Sequence, residues 1–104
     1  MQSFWKPVKW KSKKYSKFVS RRPSMLSGRF GYNPDFGEQL NDPHHYRKGT
    51  DGGTSKKPSD VWQVPLTHDE HVKVENGEIV LDPEQVYKTV INQLNDYLVE
   101  NGVK

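Results

Sequence analysis

The clearest pattern in the chain lies near its C-terminus. Val86, Val90, Ile91, Leu94, Tyr97 and Leu98 recur at helical spacing and make one apolar stripe. Asp82 is suited to cap that helix, Pro83 to its first position and Gln85 to a box-like start, and Asn101-Gly102 closes it. The pattern predicts a helix over Pro83–Asn101 that packs its stripe on a core. Upstream, Val61–Leu66 alternates and is rich in β-branched and aromatic residues, which predicts a strand. Pro65 ends the ladder pairing of that strand or places it at an edge. Thr67-His68-Asp69-Glu70 is a capping box and predicts a short helix from Thr67 to about Glu75, stopped by Asn76-Gly77. Asn41–Arg47 reads as a further short strand, Lys48–Ser59 (KGTDGGTSKKPS) as an irregular loop, and Glu78–Leu81 as extended. The middle of the chain is therefore a ββα unit.

At 104 residues the chain has room for one domain, and with 32% hydrophobic residues its core must be small. The expected class is α+β. Residues 1–22 read as a basic, aromatic-containing N-terminal arm, 23–81 as the core unit, and 82–104 as an added amphipathic helix packing on it. No stretch approaches the roughly 18 apolar residues of a membrane helix. The N-terminal MQSFWKPVKWKSKK lacks the apolar region of a secretory signal, so the expected location is the cytoplasm. The chain has no cysteine, which excludes disulfides and thiolate zinc sites. Any metal must be held by the four histidines, by carboxylates or by water.

Charge is laid out unevenly. Met1–Pro34 carries nine cations and no Asp or Glu, whereas Asp69–Lys104 carries eight acidic residues against three lysines. A basic head interleaved with Trp5, Trp10, Tyr15 and Phe18 suits phosphate contacts and base stacking, or is a solvated arm. Phe4, Trp5 and Trp10 mark a self-association surface or fold back on the domain.

The four histidines fall in two tight clusters, His44-His45 and His68/His71, which flank the loop and the second strand. Hydrolysis of a phosphodiester needs a divalent ion to neutralise the phosphoryl oxygens and a base to deprotonate water. Adjacent residues at a strand end point to opposite faces, so one imidazole can bind metal while the next serves as the base. His71, on the first turn of the following helix, completes a metal site from the other side. His68 lies on roughly the same helix face, as a third ligand, a phosphate contact or a solvent-exposed side chain.

The run DPHHYRKG, then GG, KPSDVWQVPL and a helix-borne His, resembles small phage and prophage nucleases of the His-Asn-His (HNH, ββα-metal) superfamily, of the recombination-enhancement (Ref-like) kind. The likeness spans Arg22 to Glu75, about half the chain. It implies that His44 and His71 are metal ligands and His45 the general base, with Asp60 near the central Asn of the motif. Asp60 in that place either holds His45 in one tautomer or binds metal itself. Relatives with structural zinc carry two Cys-x-x-Cys pairs. Here Ser24-Met25-Leu26-Ser27 and Thr67-His68-Asp69-Glu70 stand in those places, so no structural zinc is expected.

The expected function is a metal-dependent DNA endonuclease or nickase of low sequence specificity, in phage DNA metabolism or recombination, with a recombinase or replication protein as a candidate partner. One divalent ion is expected, Mg²⁺ or Mn²⁺, with Zn²⁺ or Ni²⁺ as alternatives. Lys9, Lys13, Arg21, Arg22, Arg47, Lys48 and His68 are the expected nucleic-acid contacts. The alternative is a non-catalytic DNA-binding or host-takeover protein on the same fold. An RNA-binding module leaves the histidine clusters unexplained.

Overall fold

A computed structural model describes residues 10–31, 40–47 and 58–102. Among them the fold is α+β: α1 (Lys13–Ser20), β1 (Asp42–His45), a 3-10 turn (Asp60–Trp62), β2 (Gln63–Leu66), α2 (His68–Glu75) and α3 (Pro83–Glu100). The strands pair antiparallel with Asp42 opposite Leu66, Pro43 opposite Pro65, His44 opposite Val64 and His45 opposite Gln63. A proline faces a proline because neither is asked to donate. The Pro65 carbonyl turns away from β1 to accept from the Met25 N–H at 3.0 Å. In an antiparallel ladder a residue's N–H and C=O share one side, so this pair is a non-hydrogen-bonded one. Pro65 therefore sits inside the strand instead of ending it, while Val61 and Trp62 fall in the 3-10 turn that precedes it.

Local chemistry starts both later helices as expected. Thr67 Oγ1 accepts from the Glu70 N–H while Glu70 Oε1 accepts from the Thr67 N–H at 2.9 Å, a complete capping box. Asp82 caps Gln85 in α3, with Pro83 at the helix start.

Tertiary packing decides two other features. Helix α1 lies within the stretch read as a basic arm. Its few apolar residues are enough, because Tyr15 and Val19 are both fully buried. Each such burial is worth roughly 1.5–3 kcal/mol. The stripe on α3 is also split. Val86 and Val90 join the core with Tyr46, Val64, Leu66 and Leu81, and Tyr97 packs on Tyr15. Ile91 stays 65% and Leu98 37% exposed, so they are not core residues. The position facing inward between Val90 and Tyr97 is Gln93, fully buried. Its Nε2 donates to Tyr15 Oη at 3.0 Å and to the Gln63 carbonyl, joining α3 to α1 and β2.

Buried Asn41 fastens the chain just before β1. Its Oδ1 accepts from the Gly31 N–H, and its Nδ2 donates to the carbonyls of Arg22 and Arg29. Its own N–H donates to the Ser20 carbonyl at the end of α1. Both donors and the acceptor of the amide are engaged, which makes this buried group a fixed junction between α1, the 22–31 segment and the sheet. Among the described residues no helix is long and apolar enough to cross a membrane.

Candidate functional site

Strand alternation sends His44 and His45 to opposite faces of β1. Their side chains are only 13% and 18% exposed. On the α2 side, the His44 ring meets the His71 ring edge to face at 5.2 Å, and its Nδ1 lies 3.8 Å from Glu75 Oε1. His71 and Glu75 are one helical turn apart, so both project from one face of α2 toward β1. His71 Nε2 lies 3.2 Å from Glu75 Oε1.

His44, His71 and Glu75 each offer one donor atom, and these atoms all lie within 4.8 Å of one another. Two nitrogen or oxygen ligands on one ion stand at most about 4.2 Å apart. Glu75 Oε1 already lies within that limit of both His71 Nε2 and His44 Nδ1, so the approach a shared ion requires is between the two imidazoles. Burial foremost, with the neighbouring His71 adding to it, pushes the His44 pKa down. Its lone pair is thus available at neutral pH. The donor set suits a borderline divalent cation.

Asp42 supports this set from the same strand face, two residues before His44. Its Oδ2 lies 2.9 Å from both His71 Nδ1 and His68 Nδ1. Burial raises the Asp42 pKa, but the hydrogen bonds from His71 and His68 outweigh it, and the carboxyl is held below its usual range. An ionised carboxylate only accepts, so His71 donates from Nδ1 to Asp42, and a metal ion held by Nε2, Glu75 and His44 would take the place of a proton between Nε2 and the Glu75 carboxylate. His68 itself is 71% exposed, and its pKa is raised by the Asp42 hydrogen bond. It lies outside the three-residue set.

On the opposite face, His45 Nε2 lies 2.9 Å from Asp60 Oδ1. Asp60 is held from both ends: its Oδ2 accepts from the Ser12 N–H at 2.7 Å and its own N–H donates to the Trp10 carbonyl. Ser59 Oγ accepts from the Trp10 N–H in turn. The segment leading into α1 thus clamps the residue that orients His45. With Asp60 accepting at Nε2, the neutral His45 ring keeps its lone pair on Nδ1.

The tetrads Ser24–Ser27 and Thr67–Glu70 also meet in space. Ser24 Oγ donates to Glu70 Oε1 at 2.5 Å and accepts from the Leu26 and Ser27 N–H groups. Burial raises the Glu70 pKa, and hydrogen bonds from Ser24, Ser27 and Thr67 together bring it below the usual value. A hydrogen-bonded knuckle fastens the 24–28 turn to the start of α2. Gly31 passes close by: a Cβ there would meet Thr67 Cβ at 3.3 Å.

The expected nucleic-acid contacts are spread more widely. Arg47 lines the cleft that holds His44, His45 and His71, between β1, α2 and the 77–81 segment. Lys13, at the start of α1, and Arg21, the residue that caps its end, are exposed. Arg22 is engaged, with Nη2 3.0 Å from Asp96 and its guanidinium 5.3 Å above the Phe18 ring. Lys9 and Lys48 lie outside the described residues, as do Phe4, Trp5 and most of the Lys48–Ser59 loop.

Asp42 and Glu75 were not singled out from sequence. The signal was present: Asp42 is two residues from His44 on a strand, and Glu75 is four from His71 on a helix. Ser12 carries no local signal of its contact with Asp60, which depends on a long-range approach.

No curated protein and no solved structure matches this chain significantly. A family match covers residues 3–98, nearly the whole chain and all of the site, and by it the chain belongs to the family described as Protein of unknown function (DUF968).

Proposed function

We propose that this protein is a metal-dependent endonuclease or nickase of DNA, built on a ββα-metal core formed by β1, β2 and α2. The observation that carries the reading is the division of labour across β1. A three-donor set, His44, His71 and Glu75, occupies one face, and an oriented imidazole, His45 on Asp60, occupies the other. A divalent ion bound by the three donors would neutralise charge on a phosphoryl oxygen and on the departing oxygen. Mg²⁺ or Mn²⁺ suits phosphate chemistry, and Zn²⁺ or Ni²⁺ suits the imidazoles.

The remaining steps belong to the chain. His45 takes the proton of an attacking water at Nδ1, and Asp60 holds the resulting imidazolium through Nε2. Asp42 fixes the tautomer and direction of His71. Arg47, in the same cleft, offers a guanidinium to the phosphate.

The test is nicking of supercoiled plasmid by purified protein with Mg²⁺ or Mn²⁺, beside an EDTA control and His45→Ala. Nicking that needs the metal and falls at least ~100-fold in the variant supports the reading. Binding of DNA without any cutting, whatever the ion, would leave the alternative of a non-catalytic DNA-binding protein on the same scaffold.

A further inference from the structure

Helix α1 breaks a rule that the other two helices among the described residues keep. Helix N-termini favour acidic residues, and α2 begins with Asp69 and Glu70, α3 with Glu84. The first turn of α1 has no acidic residue and carries Lys13 and Lys14 instead. These charges oppose the helix dipole, so stability of α1 does not explain them. Departures of this sort from local preference are expected where function outweighs stability.

Lys14, Lys17 and Arg21 continue along the exposed side at spacings of three and four, with Lys13 beside them. Among the described residues no carboxylate forms an ion pair with any of the four, whereas Arg22 is taken by Asp96. The ridge cannot roll inward, because Tyr15 and Val19 lock the other side of α1 into the core. Tyr15 packs on Trp10 and Tyr97, each at 5.1 Å between ring centroids. A groove runs along the ridge, floored by Phe18, Pro23 and Tyr97, with Glu100 at its far rim. At its start, α1 is bonded to the candidate site through the Ser12 N–H and Asp60 Oδ2.

We propose that the outer side of α1 is the guide for the DNA backbone: Lys13, Lys14, Lys17 and Arg21 contact consecutive phosphates of a duplex strand that leads to the Asp60–His45 pair. From Lys14 to Arg21 the helix rises about 10 Å. One strand advances about 3.4 Å of axis per phosphate; successive phosphates lie further apart than that along the winding backbone, and the long lysine and arginine side chains fan out from the ridge to reach neighbouring ones. Arg22 fastens α1 to α3 and is not one of the phosphate contacts. The destination of the strand rests on the nuclease reading above, whereas the ridge stands on the charges of α1 alone.

The test is fluorescence anisotropy of a short labelled duplex, titrated with full-length protein over a salt series in EDTA. The triple variant K14Q/K17Q/R21Q is compared with wild type and with Lys88→Gln on α3. Three lost phosphate contacts should flatten the plot of log affinity against log salt by about 2.7 and weaken binding more than 10-fold at low salt. Lys88→Gln should leave both unchanged. The three replaced side chains are exposed, so the thermal midpoint of the triple variant should equal that of wild type. A triple variant with the wild-type slope and affinity overturns the proposal, as does equal flattening by Lys88→Gln. Hydrolysis of bis(p-nitrophenyl) phosphate, which needs no guide, separates the two readings. A flattened slope with no diester hydrolysis by wild type supports the ridge and removes the nuclease. Diester hydrolysis with an unchanged slope does the reverse.

Discussion

Asp42 Oδ2 stands 2.9 Å from Nδ1 of both His68 and His71. One carboxylate oxygen thus fixes the tautomer of a candidate metal ligand from behind while a second, exposed histidine shares it. In a carboxylate–histidine–metal arrangement, the partner behind the histidine raises ligand basicity and fixes ring orientation. Asp42→Asn should therefore weaken Mn²⁺ binding by about 10- to 100-fold without removing any ligand. Glu75→Ala, which removes a donor, should weaken it at least as much, and His68→Ala much less. Isothermal titration of the three variants gives the order, and equal effects from His68→Ala and Asp42→Asn would refute this assignment of roles.

The His45–Asp60 pair makes a different prediction. Asp60→Ala removes the acceptor at His45 Nε2 and the partner of the Ser12 N–H together. On the proposed nuclease reading, turnover should fall by about 10- to 1000-fold, since a base held in the wrong tautomer or direction cannot take the proton. Mn²⁺ affinity should hardly change, because the pair lies across β1 from His44, His71 and Glu75. Loss of metal binding in this variant would show that the two faces of the strand are one site.

The Ser24–Glu70 knuckle is structural. Ser24→Ala leaves a partly buried carboxylate short of one charge-assisted hydrogen bond and frees the Leu26 and Ser27 N–H groups. A loss of roughly 1.5–3 kcal/mol is expected by urea unfolding. Metal affinity, measured below the unfolding range, should stay within a few-fold. A neutral outcome would mean that the turn is held by its backbone bonds alone.

Tyr15 sets an alkaline limit on stability. Burial, only partly offset by the Gln93 hydrogen bond, pushes its hydroxyl up to about 12 from 10.0. The folded state therefore binds this proton more tightly than the unfolded chain does. The contribution is complete below pH 10 and is lost as pH rises from about 10 toward 12. The loss by the upper limit is on the order of 2 kcal/mol. Unfolding of wild type and Tyr15→Phe across that window should converge as pH rises, and parallel curves would contradict the assignment.

What was local in this protein was legible in its sequence. The Thr67–Glu70 box and the Asp82-Pro83 start set the beginnings of α2 and α3 because each involves neighbours within one turn. The placement of His44 and His45 on opposite sides of a strand followed from strand geometry alone. Four other features were settled only by tertiary contact. Helix α1 was hidden among lysines, since two buried residues, Tyr15 and Val19, anchor it and no periodicity that short stands out. The α3 stripe was too broad to show which edge faces the core. Gln93, a polar residue, took an inward position because Tyr15 and Gln63 supply its partners across long sequence distances. Asp60 reached His45 for a similar reason: backbone bonds from residues 10–12 carry it there. By itself the sequence determined which groups of this protein can ligate, donate or accept. The close packing of α1, β1 and α2 decided which of them meet, because the entropy cost of joining distant residues is offset only when the whole core forms.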